Sequence, residues 1–363
     1  MQTAYFQTYI CKKQITMDIE QMIKIYPQRP HLVILGAGAS KDAMPDGDAD
    51  GKSLPVMSEF ISKLGLTEYI RRIPGVPNTD NIEDVYSWLA DKEQFTEERF
   101  VVEYEIREYF SNITLPDTLT KYDLLVLSLR KKDCIATFNW DGLLVQAYRK
   151  MQKITTDLPQ LVFLHGNVEV GYCPTCKTYG YRLAKCHKCG RRLQDVPLLY
   201  PVKNKNYQKN EFISEQWKIL EDYISRAALI TIYGYSAPKT DVEAINILKK
   251  AFARLGTPRY FDIIEIIEHP KFDTKNISEA WLDLSEMARD HLKLRRSVFD
   301  SYLFKSPRRS LEFLHKNRIA SAWWGESTIK FTQEDIDNDD KFALETKLLP
   351  LLESEQRDNF EVI

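Results

Sequence analysis

Short apolar runs that stop abruptly at glycine or a polar residue recur along this chain. Leu32-Val33-Ile34-Leu35 stops at Gly36-Ala37-Gly38-Ala39-Ser40. Cys134-Ile135-Ala136-Thr137 gives way to Phe138-Asn139-Trp140-Asp141-Gly142, and Leu161-Val162-Phe163-Leu164 to His165-Gly166. Ala227 to Tyr233 ends in Gly234-Tyr235-Ser236-Ala237-Pro238, and Phe261 to Ile267 ends at Glu268. Continuous apolar runs of this length suit strands buried on both faces, as in a parallel sheet flanked by helices. The run ending at Glu268 reads as the last strand.

Between these runs the spacing turns helical. Leu54 to Leu66 and Ile82 to Phe110 recur at three- and four-residue intervals, and Val85, Trp88, Leu89, Phe100, Tyr104 and Phe110 read as a packing face. Pro74-Gly75-Val76-Pro77 separates two helices. Residues 53–121 are therefore expected to form a helical insertion. Leu143 to Lys150 and Trp217 to Ser225 also read as helices. Residues 271–363 contain little glycine or proline and show helical spacing over Ile277 to Arg296 and Phe299 to Ile319. They predict a C-terminal helical extension, with Trp323-Trp324 packing it on the core or meeting a partner. Residues 1–30 read as an N-terminal arm. Met44 to Lys52, rich in aspartate and glycine, reads as a mobile, solvated loop. It lacks the late glutamate of a calcium loop, and Asp42 and Asp46 remain candidates for touching a ligand.

The chain has 363 residues, 44% of them hydrophobic and 28% charged, with a net charge of -2. That balance suits a globular protein and argues against wholesale electrostatic binding of nucleic acid. No run is long and apolar enough to span a membrane, and Met1 to Lys13 carries no secretory pattern, so a cytoplasmic location is expected.

Four of the six cysteines form two doublets, Cys173/Cys176 and Cys186/Cys189, nine residues apart. Paired knuckles of this kind bring four thiolates to tetrahedral reach, the preference of structural zinc. The module, about residues 171–195, should be a small ribbon. A closed four-sulfur site leaves no position for a reacting water, so the metal is expected to be structural. Lys185, Lys188, Arg191 and Arg192 read as a solvated face or a local nucleic-acid contact.

The strand ends carry the candidate chemistry. A glycine turn between strand and helix can hold a pyrophosphate against the helix N-terminus, or can simply be a turn. Asn139 and Asp141 can bind a ligand or cap the following helix. His165 can be a structural hydrogen-bonder or a general base, since imidazole titrates near neutral pH. In one parallel sheet all of them would converge on a single crevice.

In this order, Gly36-Ala37-Gly38-Ala39-Ser40, Thr137-Phe138-Asn139-Trp140-Asp141, Leu164-His165-Gly166 and Gly234-Tyr235-Ser236 resemble the sirtuin family of NAD-binding proteins. The cysteine doublets fall where sirtuins carry theirs. The resemblance spans Leu32 to Glu268 and implies an α/β, Rossmann-like domain over residues 31–270 with a small zinc module. It implies that Asn139, Asp141 and His165 surround the nicotinamide ribose, and that Gly36, Ala37, Gly38, Ala39, Ser40, Asp42, Gly234, Tyr235 and Ser236 hold the rest of the dinucleotide. Two departures stand out. Pro45-Asp46-Gly47-Asp48 replaces the Pro-Asp-Phe-Arg segment of the deacylases, and Leu199-Tyr200-Pro201-Val202-Lys203 replaces their Phe-Gly-Glu stretch. With its C-terminal extension the chain looks like the bacterial sirtuin-like effectors of antiphage defence, which hydrolyse NAD. The resemblance implies a regulated NADase, controlled by homo-oligomerisation or by an activating protein at the C-terminal helices. Lysine deacylation, NAD or ADP-ribose sensing without turnover, and nucleic-acid binding by the ribbon are the competing readings.

Overall fold

The computed structural model describes residues 25–55, 57–200, 210–236, 242–253, 262–268, 292–318 and 329–357. Six strands form one parallel sheet: β1 (His31–Leu35), β2 (Cys134–Thr137), β3 (Gln160–Phe163), β7 (Leu229–Tyr233), β8 (Ile263–Ile267) and β9 (Leu292–Arg295). Their order is β3-β2-β1-β7-β8-β9. Counted along the chain within this sheet, that is 3-2-1-4-5-6, the Rossmann arrangement. β1, β2, β7 and β8 are buried at every position or nearly so, as their unbroken apolar runs require. Edge strand β3 is covered by α8 (Glu211–Arg226): Gln216 Oε1 accepts from Phe163 N at 2.9 Å, and Trp217 Nε1 donates to Leu164 O at 3.1 Å.

Strand β9 corrects two expectations. Phe261 to Ile267 does not supply the last strand, and the helix expected to run to Arg296 is a strand from Leu292 to Arg295, paired parallel to β8. Its alternation of leucine with lysine and arginine is the period-two pattern of an edge strand. Residues 271–291, where the rest of that helix was expected, lie outside the described residues. So do 1–24, Val202-Lys203, Ala237 to Asp241 and Trp323-Trp324.

The insertion is helical as expected: α2 (Phe60–Lys63), α3 (Thr67–Arg71), α4 (Ile82–Ala90) and α5 (Thr96–Ser111). Val85 and Leu89 are buried and Trp88 packs face to face with Phe95, but α5 turns the other way from the expected face. Val102, Ile106 and Phe110 are buried, whereas Phe100 and Tyr104 are 66% and 52% exposed. Positions 100 and 102 lie about 200° apart around a helix, so the two stripes cannot face one core. Nor is the acidic loop a loose one. Asp48 is buried and accepts from Lys52 N at 2.8 Å and Asp50 N at 3.0 Å, which ties the loop into a knot.

The C-terminal region packs on the same sheet layer. Phe304 of α10 (Tyr302–Lys305) and Leu344, Leu348 and Leu351 of α13 (Lys341–Gln356) share one core with Val33, Leu35 and α6 (Lys121–Leu127). Arg308, buried and at φ 63°, donates to Leu129 O at 3.0 Å and to Glu355 at 2.8 Å. On the same face of β1 as Val33 and Leu35, His31 bridges Thr231 Oγ1 and Ser310 Oγ, and burial holds its imidazole down at about 3. Among the described residues no helix is long and apolar enough to cross a membrane.

A close backbone approach joins the turns after β1 and β7. A Cβ on Gly234, at φ 63°, would lie 2.2 Å from Ala39 N, whereas one on Gly65, at φ 71°, would meet nothing within 4 Å. Both positions strain an L side chain alike. Gly234→Ala should therefore exceed Gly65→Ala in destabilisation by roughly 2 kcal/mol or more in urea unfolding. Equal losses would show that the two turns can separate at no cost.

Candidate functional site

Because the sheet is parallel, the carboxyl ends of β1, β2, β3 and β7 lie along one edge. Leu35 pairs with Thr137 and Tyr233, and Thr137 pairs with Phe163. The loops that follow therefore start level. From β1 the chain builds outward to β2 and β3, then returns to β7 on the other side of β1. That reversal is where open α/β sheets form a ligand crevice.

The glycines first serve the protein itself. Gly36 N donates to Tyr233 O and Gly38 N to Gly234 O, both at 3.0 Å. A Cβ on Gly36 would lie 2.4 Å from Gly234 O. The expected reason for these glycines, backbone laid against a pyrophosphate, is thus joined by a second one, two turns interlocked. The amide of Gly38 is used inside the protein. Ala37 and Gly38 remain exposed at the surface of the turn, while Ala39 and Ser40 face inward at the start of α1 (Ala37–Ala43).

Asn139 reaches across from β2. Its Nδ2 donates to Gly36 O at 2.9 Å and to Ser40 Oγ at 2.8 Å. A backbone carbonyl can only accept, so Gly36 O fixes which end of the amide points inward. Both amide hydrogens are then used, and no donor among the described residues reaches Oδ1. Asn139 is thereby an acceptor toward anything in the crevice.

Ser40 is the junction. Tyr122 of α6 lies 2.7 Å from Ser40 Oγ, and the Ser40 hydroxyl favours the ionised form of Asp141. Asp141 accepts from Leu143 N at 3.2 Å, so it does help cap α7 (Leu143–Met151). It has no arginine or lysine beside it, and burial pushes its carboxyl up to about 6. Burial, with the Asp141 charge second, holds the Tyr122 phenol well above its ordinary value, so it remains a proton donor. Asp42 is engaged within the protein, with Lys121 Nζ at 2.5 Å and the Tyr233 hydroxyl as partners.

His165 sits at the end of β3, 8% exposed, its ring edge-on to Phe138 at 4.9 Å. Phe138 stacks on Tyr235 at 4.0 Å on the β7 side. One aromatic thus spaces His165 from the turn after β7. Asn167, fully buried, ties the loops together: its Nδ2 donates to Asp141 O at 2.6 Å, and Val168 N donates to Trp140 O at 2.9 Å. The structure therefore joins Gly36, Ser40 and Asn139 by direct bonds, ties Asp141 to them through Asn167, and brings His165 and Tyr235 to one ring. Ser236 is exposed beside them. Sequence reasoning missed Phe138, Tyr122 and Asn167. Asn167 carried a signal, a second polar residue after His165. Tyr122 carried none inside an apolar helical run.

The ribbon consists of β4 (Val170–Cys173), β5 (Thr178–Tyr181) and β6 (Gln194–Asp195). The four Sγ atoms of Cys173, Cys176, Cys186 and Cys189 lie within 4.8 Å of one another, with Cys173 and Cys189 at 3.6 Å. Thiolates about 2.3 Å from a tetrahedral ion lie about 3.8 Å apart, so the donor set fits such an ion. Thr178 Oγ1, 3.3 Å from Cys186 Sγ, holds that thiol below its ordinary value. Around the cysteines Leu193 is the one buried apolar residue of the ribbon's own cluster, while Val170 and Tyr172 anchor the ribbon in the main core.

No family model matches the chain, and no curated protein matches it. Among solved structures it is similar to a Sir2 homologue in complex with NAD, at 16% identity and a TM-score of 0.33 over 84% of this chain and 94% of that one. It is similar to a Sir2 enzyme from work on mechanism and regulation, at 15% identity and a TM-score of 0.37, over 84% of this chain and 100% of that one. A Sir2 bound to acetylated peptide shows 14% identity and a TM-score of 0.34, over 84% and 99%. Likenesses this distant transfer no residue's role.

Two outcomes follow from the site. Cys176→Ser and Cys189→Ser should each cut bound metal, read by elemental analysis, and should open the ribbon to limited proteolysis; undiminished metal content would mean the ion sits elsewhere. The second concerns Asp141. Its folded-state value is raised, so its contribution to stability is fully present below 3.8 and is lost as pH rises through about 6. Asp141→Asn should thus be more stable than wild type at neutral pH, by up to about 3 kcal/mol, with the difference closing toward about pH 4. A difference that is flat with pH would show that Asp141 is not buried as a carboxylate.

Proposed function

We propose that this protein hydrolyses NAD to nicotinamide and ADP-ribose. The observation that carries the reading is the outward-facing Oδ1 of Asn139, whose amide hydrogens are both held by Gly36 O and Ser40 Oγ. Breaking the nicotinamide–ribose bond builds positive charge on the sugar. A site for that step needs an oriented acceptor, a base and a way to exclude other nucleophiles. Asn139 Oδ1 accepts from the attacking water or a ribose hydroxyl. His165 takes the proton as water oxygen bonds to the anomeric carbon. The carbon–nitrogen bond breaks, and its electron pair leaves with neutral nicotinamide. Asp141 holds Ser40, and when ionised it adds negative charge near the cationic sugar. The turns at Gly36 to Ser40 and Gly234 to Ser236 hold the remainder of the dinucleotide, and Asp42 shapes this wall through Tyr233. Zinc in the cysteine cluster is structural in this reading.

One packing feature favours hydrolysis over deacylation. Where deacylases carry the stretch that lines their acyl-lysine tunnel, Tyr200 stacks on Tyr86 at 5.0 Å and packs against Trp140 at 5.6 Å. Trp140 in turn meets Phe110 at 5.9 Å and Phe60 at 6.3 Å. Around Tyr200 the described residues pack ring against ring. The role as a regulated effector of bacterial antiphage defence, switched on by oligomerisation or by a protein bound at the C-terminal helices, rests on the sequence resemblance.

Purified protein incubated with NAD should release nicotinamide without any acyl-lysine peptide. Asn139→Ala and His165→Ala should each lower the rate by about 100-fold or more. Release that requires the peptide would make it a deacylase. Tight NAD or ADP-ribose binding with no turnover, in the presence of candidate activators as well as alone, would make it a sensor.

A further inference from the structure

We infer that Tyr122 is a positioning residue of this site: from α6 its phenol holds Ser40, and Ser40 holds the Asn139 amide. The inference rests on the NAD-hydrolysing reading, to which it adds a residue that touches no substrate.

The hydrogens can be counted. Ser40 Oγ has one hydrogen to give and two lone pairs to fill. Asn139 Nδ2 fills one lone pair at 2.8 Å, and the Tyr122 hydroxyl lies 2.7 Å away, where either oxygen can donate to the other. In either sense the phenol is a fixed partner of Ser40. Tyr122 is fully buried, so its bond is made within the protein. Packing alone would not need the hydroxyl. Tyr122 lies in a helix with Leu124, Leu125, Val126 and Leu127, and a phenylalanine would bury the same ring.

The helix that carries Tyr122 is fastened at both ends. At its start Thr120 and Asp123 cap each other, Lys150 Nζ reaches Asp123 at 2.8 Å, and Lys121 reaches Asp42 of α1 at 2.5 Å. At its end Arg308 donates to Leu129 O at 3.0 Å and Arg308 N to Ser128 O at 2.7 Å. A phenol on such a mount has one place to be. Without its hydroxyl, Ser40 loses a partner at 2.7 Å and can turn, and the Asn139 amide loses the fixed acceptor that keeps its plane. Oδ1 then spends less time where the water must sit. Because Tyr122 meets no ligand, the loss should fall on turnover and leave substrate binding nearly intact.

The test uses the full chain as wild type, Tyr122→Phe, Ser40→Ala and the double variant. Steady-state NAD hydrolysis gives kcat and KM. Selective 15N-asparagine labelling gives the side-chain amide of Asn139, identified by its loss in Asn139→Asp. Tyr122→Phe should lower kcat by about tenfold with KM within about twofold, the effect of one misplaced hydrogen bond. The double variant should be no slower than Ser40→Ala alone, because both act through one junction. The Asn139 amide hydrogens should exchange about tenfold faster in Tyr122→Phe than in wild type. An unchanged kcat, losses that multiply in the double variant, or unaltered Asn139 exchange would each overturn the role of Tyr122. Wild-type protein that releases no nicotinamide would instead count against the NAD reading; Asn139 exchange then decides the Tyr122 bond alone.

Discussion

The carbonyl of Gly36 is the fixed point of the site. It can only accept, it ends the first strand, and it takes Nδ2 of Asn139 at 2.9 Å. That one bond decides which way the amide faces, and with it what the crevice offers a ligand. It is possible because Gly36 has no side chain where Gly234 O would stand, 2.4 Å from a Cβ. The interlocked turns thus do two things with one pair of glycines: they bring the ends of β1 and β7 together, and they leave a carbonyl pointing at Asn139. The turn expected to hold a pyrophosphate is thus also the turn that orients a side chain.

Around that point the site is built in rows. Asn139 and Ser40 share a direct bond, and Phe138 spaces His165 from Tyr235. Behind them stand Asn167, which ties the loops after β2 and β3, and α6, which presents Tyr122. The far end of α6 is held by Arg308, itself clamped by Glu355 of the last helix. The C-terminal region is therefore no loose appendage. Its charged cluster lies against the helix that reaches Ser40, and a partner that moved α13 would pull on that mount.

The sheet was legible because its strands are buried on both faces, which leaves uninterrupted apolar runs, and because each run stops at a glycine or a polar residue. The metal ribbon was legible because thiolate spacing is set by chemistry rather than by packing. What the pattern concealed has equally physical causes. β9 alternates leucine with basic residues over Leu292 to Arg295, and at the edge of a sheet that pattern competes with a helical reading. In α5 two apolar stripes coexist, and only burial shows that Val102, Ile106 and Phe110 form the inner one. Asn139, Asp141 and His165 could be read from their place at strand ends. Tyr122 could not, since a hydroxyl within an apolar helix shows its purpose only when its partner from another element is known. The loop at Asp48 misled for a similar reason: its aspartates look like solvated turn formers, yet Asp48 satisfies backbone amides inside the protein.

Asp141 is the residue whose placement structural needs explain least. It is fully buried, lacks a cation beside it, and keeps its proton up to about 6. An asparagine of nearly the same shape could accept from Leu143 N and from Ser40 without the cost of burying a charge. Helix capping is thus not a sufficient reason for a carboxylate there. A carboxylate that is ionised near neutral pH, held beside the residue that orients Asn139, becomes useful when positive charge develops next to it. In the proposed reaction an oxocarbenium-like sugar would supply that charge, and only during the reaction. The folded protein is less stable than it need be at this position, and the proposed NAD hydrolysis gives that cost a use in its transition state.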